Sequence, residues 1–221
     1  MMRIADAEKE NIIHAAEQFS RSEMEKDASG HDWWHIHRVV QMARRIAREE
    51  GADAFICTIA ALLHDVADEK LNPSKEAGLH KVQSWLDTHL ADDDARAHVM
   101  DIISNMSYNA GTNPPMRTLE GKVVQDADRL DAIGAISIAR AFVYAGWKGT
   151  PIHDPAIPPR GEMTAEEYRN GKSTAINHFH EKLLKLKDLV NTEAAKRIAE
   201  DRHLYMEQYV ERFYEEWEGN R

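Results

Sequence analysis

The chain has 221 residues, 43% of them hydrophobic and 30% charged, and its formal net charge is −10 at pH 7. This composition is typical of a soluble globular protein that is long enough to bury a sizeable core. An acidic chain without a basic stripe does not match proteins that bind nucleic acid through its phosphates, so we expect no nucleic-acid partner.

The beginning of the chain and its cysteine content indicate the compartment. The first ten residues contain no apolar signal core, and no hydrophobic run approaches the length of a membrane span. The single cysteine, Cys57, cannot form an internal disulfide. We therefore expect a cytoplasmic protein with no membrane partner.

Apolar residues at helical spacing run through the first half of the chain, and Asp, Gly and Pro residues separate the helical stretches. A break at 27–30 and a loop at Pro73 divide them. The pattern predicts five helices, over about 6–26, 32–50, 53–67, 75–89 and 92–106.

The second half is also predicted to be helical. The pattern indicates a long helix from about 119 to 145, an irregular Gly- and Pro-rich loop over 146–163, and helices near 165–189 and 192–217. No alternating strand pattern occurs anywhere, so the predicted fold class is all-α, and we expect one domain over 1–221.

Three segments place histidine and carboxylate side chains in helical surroundings. His64 and Asp65 directly follow the apolar run 59–63, and burying them is costly unless a group such as a metal ion satisfies them. The other two segments are 31–39, with several histidines, and 125–131, where acids interrupt an apolar helix. One helix directs only two or three groups toward one point, so a metal site would draw its ligands from separate elements.

In order and separation, these segments resemble the signature of the HD-domain metal-dependent phosphohydrolases. The matching stretches are His-x-x-Arg-Val at His35, the adjacent pair His64-Asp65, and Ala-Asp-Arg-Leu at Asp128. The resemblance implies an HD-type helical bundle with its metal-binding core at about 29–145. The remainder is similar to a small standalone bacterial branch in which a helical extension, here 164–221, follows the core.

The resemblance implies that His35, His64, Asp65 and Asp128 are the metal ligands. Two imidazoles and two carboxylates suit a divalent transition-metal ion, with Mn²⁺ favoured over Fe²⁺, Co²⁺, Ni²⁺ or Zn²⁺. We expect one ion, because residues 104–108 lack the extra histidines of relatives that bind two.

Other side chains near the implied ligands compete for these roles. Asp126 and Asp131 flank Asp128, and we expect Asp131 to orient a ligand or a neighbouring arginine. His31 and His37 are expected outside the ligand set, since His31 precedes or opens a helix and His37 points toward solvent.

The same family resemblance implies which residues contact the substrate and the attacking water. Asp68 corresponds to an acid that follows the His-Asp pair in related nucleotide hydrolases, where it would position or deprotonate the attacking water, with Glu69 as the alternative. Arg38 lies one helical turn after His35, and its guanidinium suits a phosphate clamp. Further positive charge for the substrate is expected from Lys70, His178 and Lys182, although the last two are equally compatible with a helix–helix contact.

The expected function is metal-dependent hydrolysis of nucleotide phosphates. The resembling branch includes nucleotide pyrophosphohydrolases, so we expect a (deoxy)nucleoside triphosphate to be split into monophosphate and pyrophosphate. Two alternatives stay open: a phosphomonoesterase acting on nucleoside monophosphates, and a metal-containing nucleotide sensor without turnover. The sequence leaves the oligomeric state open, with a homodimer as one option.

Overall fold

The computed structural model describes residues 5–24, 32–68, 71–107, 115–161, 164 and 171–221. These residues form two compact units, which we call the N-terminal unit (up to 107, and 115–127) and the C-terminal unit (from 128 onward). That the two act as the single domain expected from the sequence stays a prediction. No helix in the described ranges has the length and apolarity needed to cross a membrane.

The regular elements of the N-terminal unit are all helical within the described residues, as the sequence predicts. They are α1 (Asp6–Met24), α2 (Trp33–Glu50), α3 (Ala54–Leu63), a 3₁₀ turn (His64–Ala67), α4 (Lys75–His89), α5 (Asp93–Asn105) and most of α6 (Leu119–Asp131). The predicted limits of α4 match the observed ones, because Ser74 caps its first turn and Leu90 leaves the helical region.

Helix α3 forms the centre of the N-terminal unit. Its first turn is capped by Asp53, whose carboxylate accepts hydrogen bonds from the backbone N–H groups of Phe55 and Ile56. Every residue from Phe55 to Leu63 is buried, and α1, α2 and α5 pack around the helix. A helix that is apolar on all sides requires this enclosure, since any exposed face would leave hydrophobic surface in water.

The C-terminal unit is also helical in its described part. After the last turn of α6 it contains α7 (Ala135–Lys148), α8 (Ala175–Glu181), a second 3₁₀ segment (Leu183–Leu189) and α9 (Glu193–Trp217). Helix α7 packs against α8 and α9. The fully buried ring of Phe179 lies at the centre of this packing, with ring centroids 6.3 Å from Phe142 and 5.9 Å from Tyr209.

The prediction of one long helix over 119–145 is wrong, because the structure has two helices there. The stretch divides into α6 and α7 because Gly134 has a φ of +90°, a left-handed conformation that a continuous α-helix does not contain. Helix α7 also continues to Lys148, so the irregular stretch begins at Gly149 rather than at 146.

The helix predicted near 165–189 is also shorter than expected in its described part. Residues 171–174 are not helical, and Thr174 instead caps α8 by accepting a hydrogen bond from Asn177 N–H. The helix ends at Lys182, whose backbone (φ −137°, ψ −60°) lies outside the helical region, and a 3₁₀ segment follows.

Candidate metal centre

His35 lies in the first turn of α2 with its side chain directed inward. The backbone N–H of His35 donates to the carboxylate of Asp32 (3.0 Å), which caps the helix and fixes where this turn begins. His35 is only 2% exposed and belongs to the buried stripe of α2 that continues through Ile36 and Val39. Local capping and hydrophobic periodicity therefore place this imidazole inside the unit.

The sequence predicts that His64 and Asp65 lie in the same helix as the apolar run before them. In the structure they lie instead in the 3₁₀ turn that follows α3. Helix α3 ends at Leu63, and the chain tightens over His64–Ala67, with Asp68 N–H donating to the carbonyl of Asp65 (3.0 Å). The predicted helix over 53–67 is thus too long by one short turn. The turn directs two consecutive ligands to one side.

The side chains of His35, His64 and Asp65 converge, and their ligand atoms all lie within 4.8 Å of one another. The distance from His35 Nε2 to Asp65 Oδ2 is 3.3 Å, and that from His64 Nε2 to Asp65 Oδ1 is 3.2 Å. Two atoms that are each about 2.1 Å from one ion lie about 3.0–3.4 Å apart at octahedral or tetrahedral angles. Both distances to Asp65 fall in this range, one to each carboxylate oxygen, so the three residues form a group that could hold a divalent cation.

A backbone carbonyl fixes the tautomer of His64. Nδ1 of His64 lies 2.8 Å from the carbonyl oxygen of Ala61, and a carbonyl only accepts hydrogen bonds. Nδ1 therefore carries the proton, and Nε2 presents its lone pair toward Asp65 and His35. The ring is 8% exposed, so water competes little for this lone pair.

The fourth implied ligand, Asp128, is half-buried near the end of α6 and belongs to the C-terminal unit. The group of three is complete within the N-terminal unit, so a ligand role for Asp128 stays a prediction. The neighbouring acids are more deeply buried: Asp126 is fully buried, and Asp131 accepts from Arg140 Nη1 at 2.6 Å. His37 is exposed, in agreement with its expected position.

The residues expected to act on water and phosphate lie close in sequence to the three ligands. Asp68 ends the 3₁₀ turn in an extended conformation and is half-buried. Arg38 is half-buried one turn after His35 on α2. Three other residues discussed above, His31, Glu69 and Lys70, lie outside the described residues. The roles of all these side chains stay predictions.

His178 and Lys182 lie at the C-terminal end of α8, where Lys182 N–H donates to the carbonyl of His178 (3.0 Å). Loss of solvation lowers the pKa of His178 to about 3, and the positive charge of Lys182 adds to the effect. His178 is therefore neutral at physiological pH. Both residues belong to the C-terminal unit, and a substrate-binding role for them stays a prediction.

Sequence reasoning missed the groups that support the 3₁₀ turn. The side-chain amide of Asn72 donates to the carbonyls of Val66 and Asp68, both at 2.8 Å. Helix α4 packs against the turn at Gly78, where an added Cβ would lie 2.5 Å from the carbonyl oxygen of Ala67. A glycine inside an otherwise regular helical pattern signals such a close approach, whereas nothing in the sequence identifies the partners of Asn72.

Comparison with known proteins agrees with this geometry. The model of the HD domain family matches residues 33–133, a span that includes all four implied ligands. The chain is 40% identical over 187 residues to the protein YpgQ of Bacillus subtilis, and the alignment covers 83% of each chain. The crystal structure of YpgQ in complex with ADP has a TM-score of 0.74 and 37% identity, and the match covers 92% of this chain and 97% of YpgQ.

The crystal structure of an HD-superfamily hydrolase from Bacillus thuringiensis is similar over an even larger share of the chain. It has a TM-score of 0.75 and 50% identity, and the match covers 95% of this chain and 98% of the other. The sequence signature, the three converging ligands and these similarities agree. The chain therefore belongs to the HD-domain phosphohydrolase family and is a metal-dependent hydrolase.

Proposed function

We propose that the protein is a nucleotide pyrophosphohydrolase that splits a (deoxy)nucleoside triphosphate into a monophosphate and pyrophosphate. The observation that carries the proposal is the convergence of His35, His64 and Asp65, whose ligand atoms lie within 4.8 Å of one another and could hold one divalent ion. The ADP complex of YpgQ supports a nucleotide as the ligand of this chain.

In the proposed centre, Asp128 is the fourth ligand and Mn²⁺ the resident ion. Neutral imidazole nitrogens with carboxylate oxygens form a borderline ligand set, which favours Mn²⁺ over the harder Mg²⁺. The chemistry that a bound ion supplies is Lewis-acid activation of a phosphoryl group and of the attacking water.

Asp68 is the proposed proton acceptor. The oxygen of water attacks the α-phosphorus, the bond to the bridging oxygen breaks, and pyrophosphate leaves with that oxygen while Asp68 takes the proton of the water. The hydrogen bond from Asp68 N–H to the carbonyl of Asp65 (3.0 Å) supports this role, because it ties the acid to a ligand-bearing turn.

Arg38 is the proposed phosphate clamp in the same reaction. A guanidinium donates two parallel hydrogen bonds to phosphate oxygens, and its charge offsets the negative charge that accumulates on the substrate. The position of Arg38 one turn after His35 on α2 supports this assignment.

The test is a panel of nucleoside mono-, di- and triphosphates incubated with the manganese-loaded protein, with phosphate and pyrophosphate measured separately. We expect pyrophosphate and nucleoside monophosphate in equal amounts from triphosphates. Release of phosphate alone from monophosphates would overturn the proposal in favour of a phosphomonoesterase. Absence of both products, with a nucleotide still raising the melting temperature, would instead identify a sensor.

A further inference from the structure

A large aromatic side chain is exposed within one helical turn of the candidate metal centre. Trp34 is 59% exposed, although tryptophan side chains are highly buried on average. It lies in the first turn of α2, where it directly precedes His35. The cap formed by Asp32, which accepts from His35 N–H at 3.0 Å, fixes this turn and with it the position of the indole relative to His35.

The helical register places Trp34 on the same face of α2 as Arg38. Residues three or four apart on a helix are neighbours, with their Cβ atoms about 5–6 Å apart. Trp34 lies four residues before Arg38, and His35 lies three residues before it. Arg38 is half-buried and is the proposed phosphate clamp. Neighbouring positions of α2 therefore carry a candidate metal ligand, the proposed clamp and an exposed indole, all within the N-terminal unit.

Neighbouring side chains brace Trp34 and still leave more than half of it exposed. The imidazole of His37 meets the indole edge to face, with 5.9 Å between the ring centroids and an interplanar angle of 78°. His37 also contacts the ring of Trp33 at 6.4 Å, and the guanidinium of Arg21 on α1 lies 6.0 Å from the Trp33 ring. Because Trp34 is restrained in this way, a ligand that stacks on it needs to order the side chain little further.

We propose that Trp34 is a base-stacking residue, which binds the nucleobase of the substrate while Arg38 holds its phosphates. The inference rests on the proposed function and deepens it, because it names the residue that distinguishes a nucleotide from an inorganic polyphosphate. Stacking on an aromatic ring accepts purines and pyrimidines alike, since every base has a π-face. The substrate class that follows is nucleoside triphosphates without strict selection of the base.

The test is calorimetric titration of ADP, UDP and inorganic pyrophosphate into the full-length, manganese-loaded protein after excess metal is removed. We expect Trp34→Ala to weaken the binding of ADP and UDP by about tenfold, a typical loss for one stacked base. The same variant should bind pyrophosphate within about twofold of wild type, because pyrophosphate has no base. Trp34→Phe should keep most of the nucleotide affinity, since its ring still stacks.

Tyr205→Ala is the matched control. Tyr205 is an aromatic residue of similar exposure (53%) on α9, and its replacement should leave the affinity for all three ligands unchanged. Unchanged affinity of Trp34→Ala for ADP and UDP would overturn the proposal, as would absence of nucleotide binding to wild type. An equal loss for pyrophosphate, or an equal loss in Tyr205→Ala, would also overturn it, because the effect would then not be due to a base contact at Trp34.

The titration requires no turnover, so its failure is distinguishable from failure of the proposed function. If the nucleotide panel shows pyrophosphate release but the nucleotide affinity of Trp34→Ala is unchanged, the proposed function stands and the base-stacking role fails. If the panel shows no hydrolysis but Trp34→Ala loses affinity for ADP and UDP alone, the hydrolase proposal fails and Trp34 still binds the base of a nucleotide.

Discussion

A contact with one backbone carbonyl determines which ring nitrogen of His64 is available to bind a metal. The contact between its Nδ1 and the carbonyl oxygen of Ala61 (2.8 Å) leaves Nε2 as the ligand atom. Cys57 lies about two turns earlier and is also buried. Burial raises the pKa of its thiol to about 12, and the negative charges of Glu120 and Asp53 raise it further. The Cys57 thiol therefore stays protonated at neutral pH and does not act as a metal ligand there.

Asp68→Asn tests the acid proposed to take a proton from water. The amide has nearly the same shape but cannot act as a base, so we expect the metal content to be retained and kcat to fall by about 10²–10⁴-fold. Asp201→Asn, an exposed change on α9, is the control and should leave kcat unaffected. A near-wild-type rate for Asp68→Asn would move the water-activating role to another residue, with Glu69 as the first candidate.

His178 makes the folded protein sensitive to acid. Its pKa is about 3 in the folded protein and about 6.5 in an unfolded chain, so its contribution to stability is present above pH 6.5 and is lost as pH falls toward 3. Each pH unit in this window changes the free energy of unfolding by at most about 1.4 kcal/mol. When the pH is lowered from 7 to 5, we expect the melting temperature of His178→Gln to fall by a few degrees less than that of wild type.

Calorimetry at several pH values measures this difference. His80→Gln is the matched control, because His80 is exposed on α4 and its replacement should leave the acid sensitivity of the wild type intact. Equal losses of melting temperature in wild type and His178→Gln would show that protonation of His178 does not oppose folding.

At the scale of elements, the metal ligands depend on how closely α4 approaches the 3₁₀ turn. At Gly78 an added Cβ would lie 2.5 Å from the oxygen, 2.8 Å from the carbon and 2.9 Å from the Cα of Ala67, all of them backbone atoms. A backbone neighbour cannot rotate away as a side chain can. The turn or the helix would have to move.

Gly78→Ala is therefore expected to destabilise the protein although alanine is the better helix former. Overpacking costs about 1–3 kcal/mol, against a gain of about 1 kcal/mol in helix propensity. We also expect weaker Mn²⁺ binding, because the displaced turn carries His64 and Asp65. Denaturant unfolding and a metal titration measure the two effects.

Gly146→Ala is the matched control for this substitution. Gly146 lies in α7 with open space around the position of a Cβ, so the gain in helix propensity should be the main effect. If Gly78→Ala were as stable as Gly146→Ala and bound metal as tightly as wild type, the close approach of α4 would not support the centre.

Most helices could be predicted from the sequence because their caps are local signals. Thr192, for example, accepts a hydrogen bond from Ala195 N–H, and α9 begins where this cap predicts. The 3₁₀ turn at His64 was not predicted. A run of four residues is too short for its hydrophobic pattern to distinguish a 3₁₀-helix, with three residues per turn, from an α-helix, with 3.6. The break at Gly134 was missed because glycine is also tolerated inside helices, and only its φ reveals the turn.

The metal centre was less predictable from local pattern alone. His35 lies on α2 and the His64-Asp65 pair follows α3, so their meeting depends on the packing of these helices, which hydrophobic periodicity does not specify. The order of the motifs and their resemblance to a family supplied that information. The support from Asn72 could not be foreseen, because it consists of hydrogen bonds to backbone carbonyls.

At the scale of the whole molecule, the net charge of −10 opposes the binding of a polyanionic nucleotide. Local cations must therefore offset the repulsion wherever phosphates bind. In the N-terminal unit, the cation proposed for this role is Arg38, one turn after His35 on α2.

The metal content of the purified protein tests the central claim, that His35, His64 and Asp65 hold one divalent ion. The measurement is elemental analysis after dialysis against Mn²⁺ and removal of excess metal, with folding of each variant checked by circular dichroism. We expect about one equivalent in wild type and in the exposed control His37→Asn, and almost none in His64→Asn. A full equivalent retained by folded His64→Asn would contradict the account.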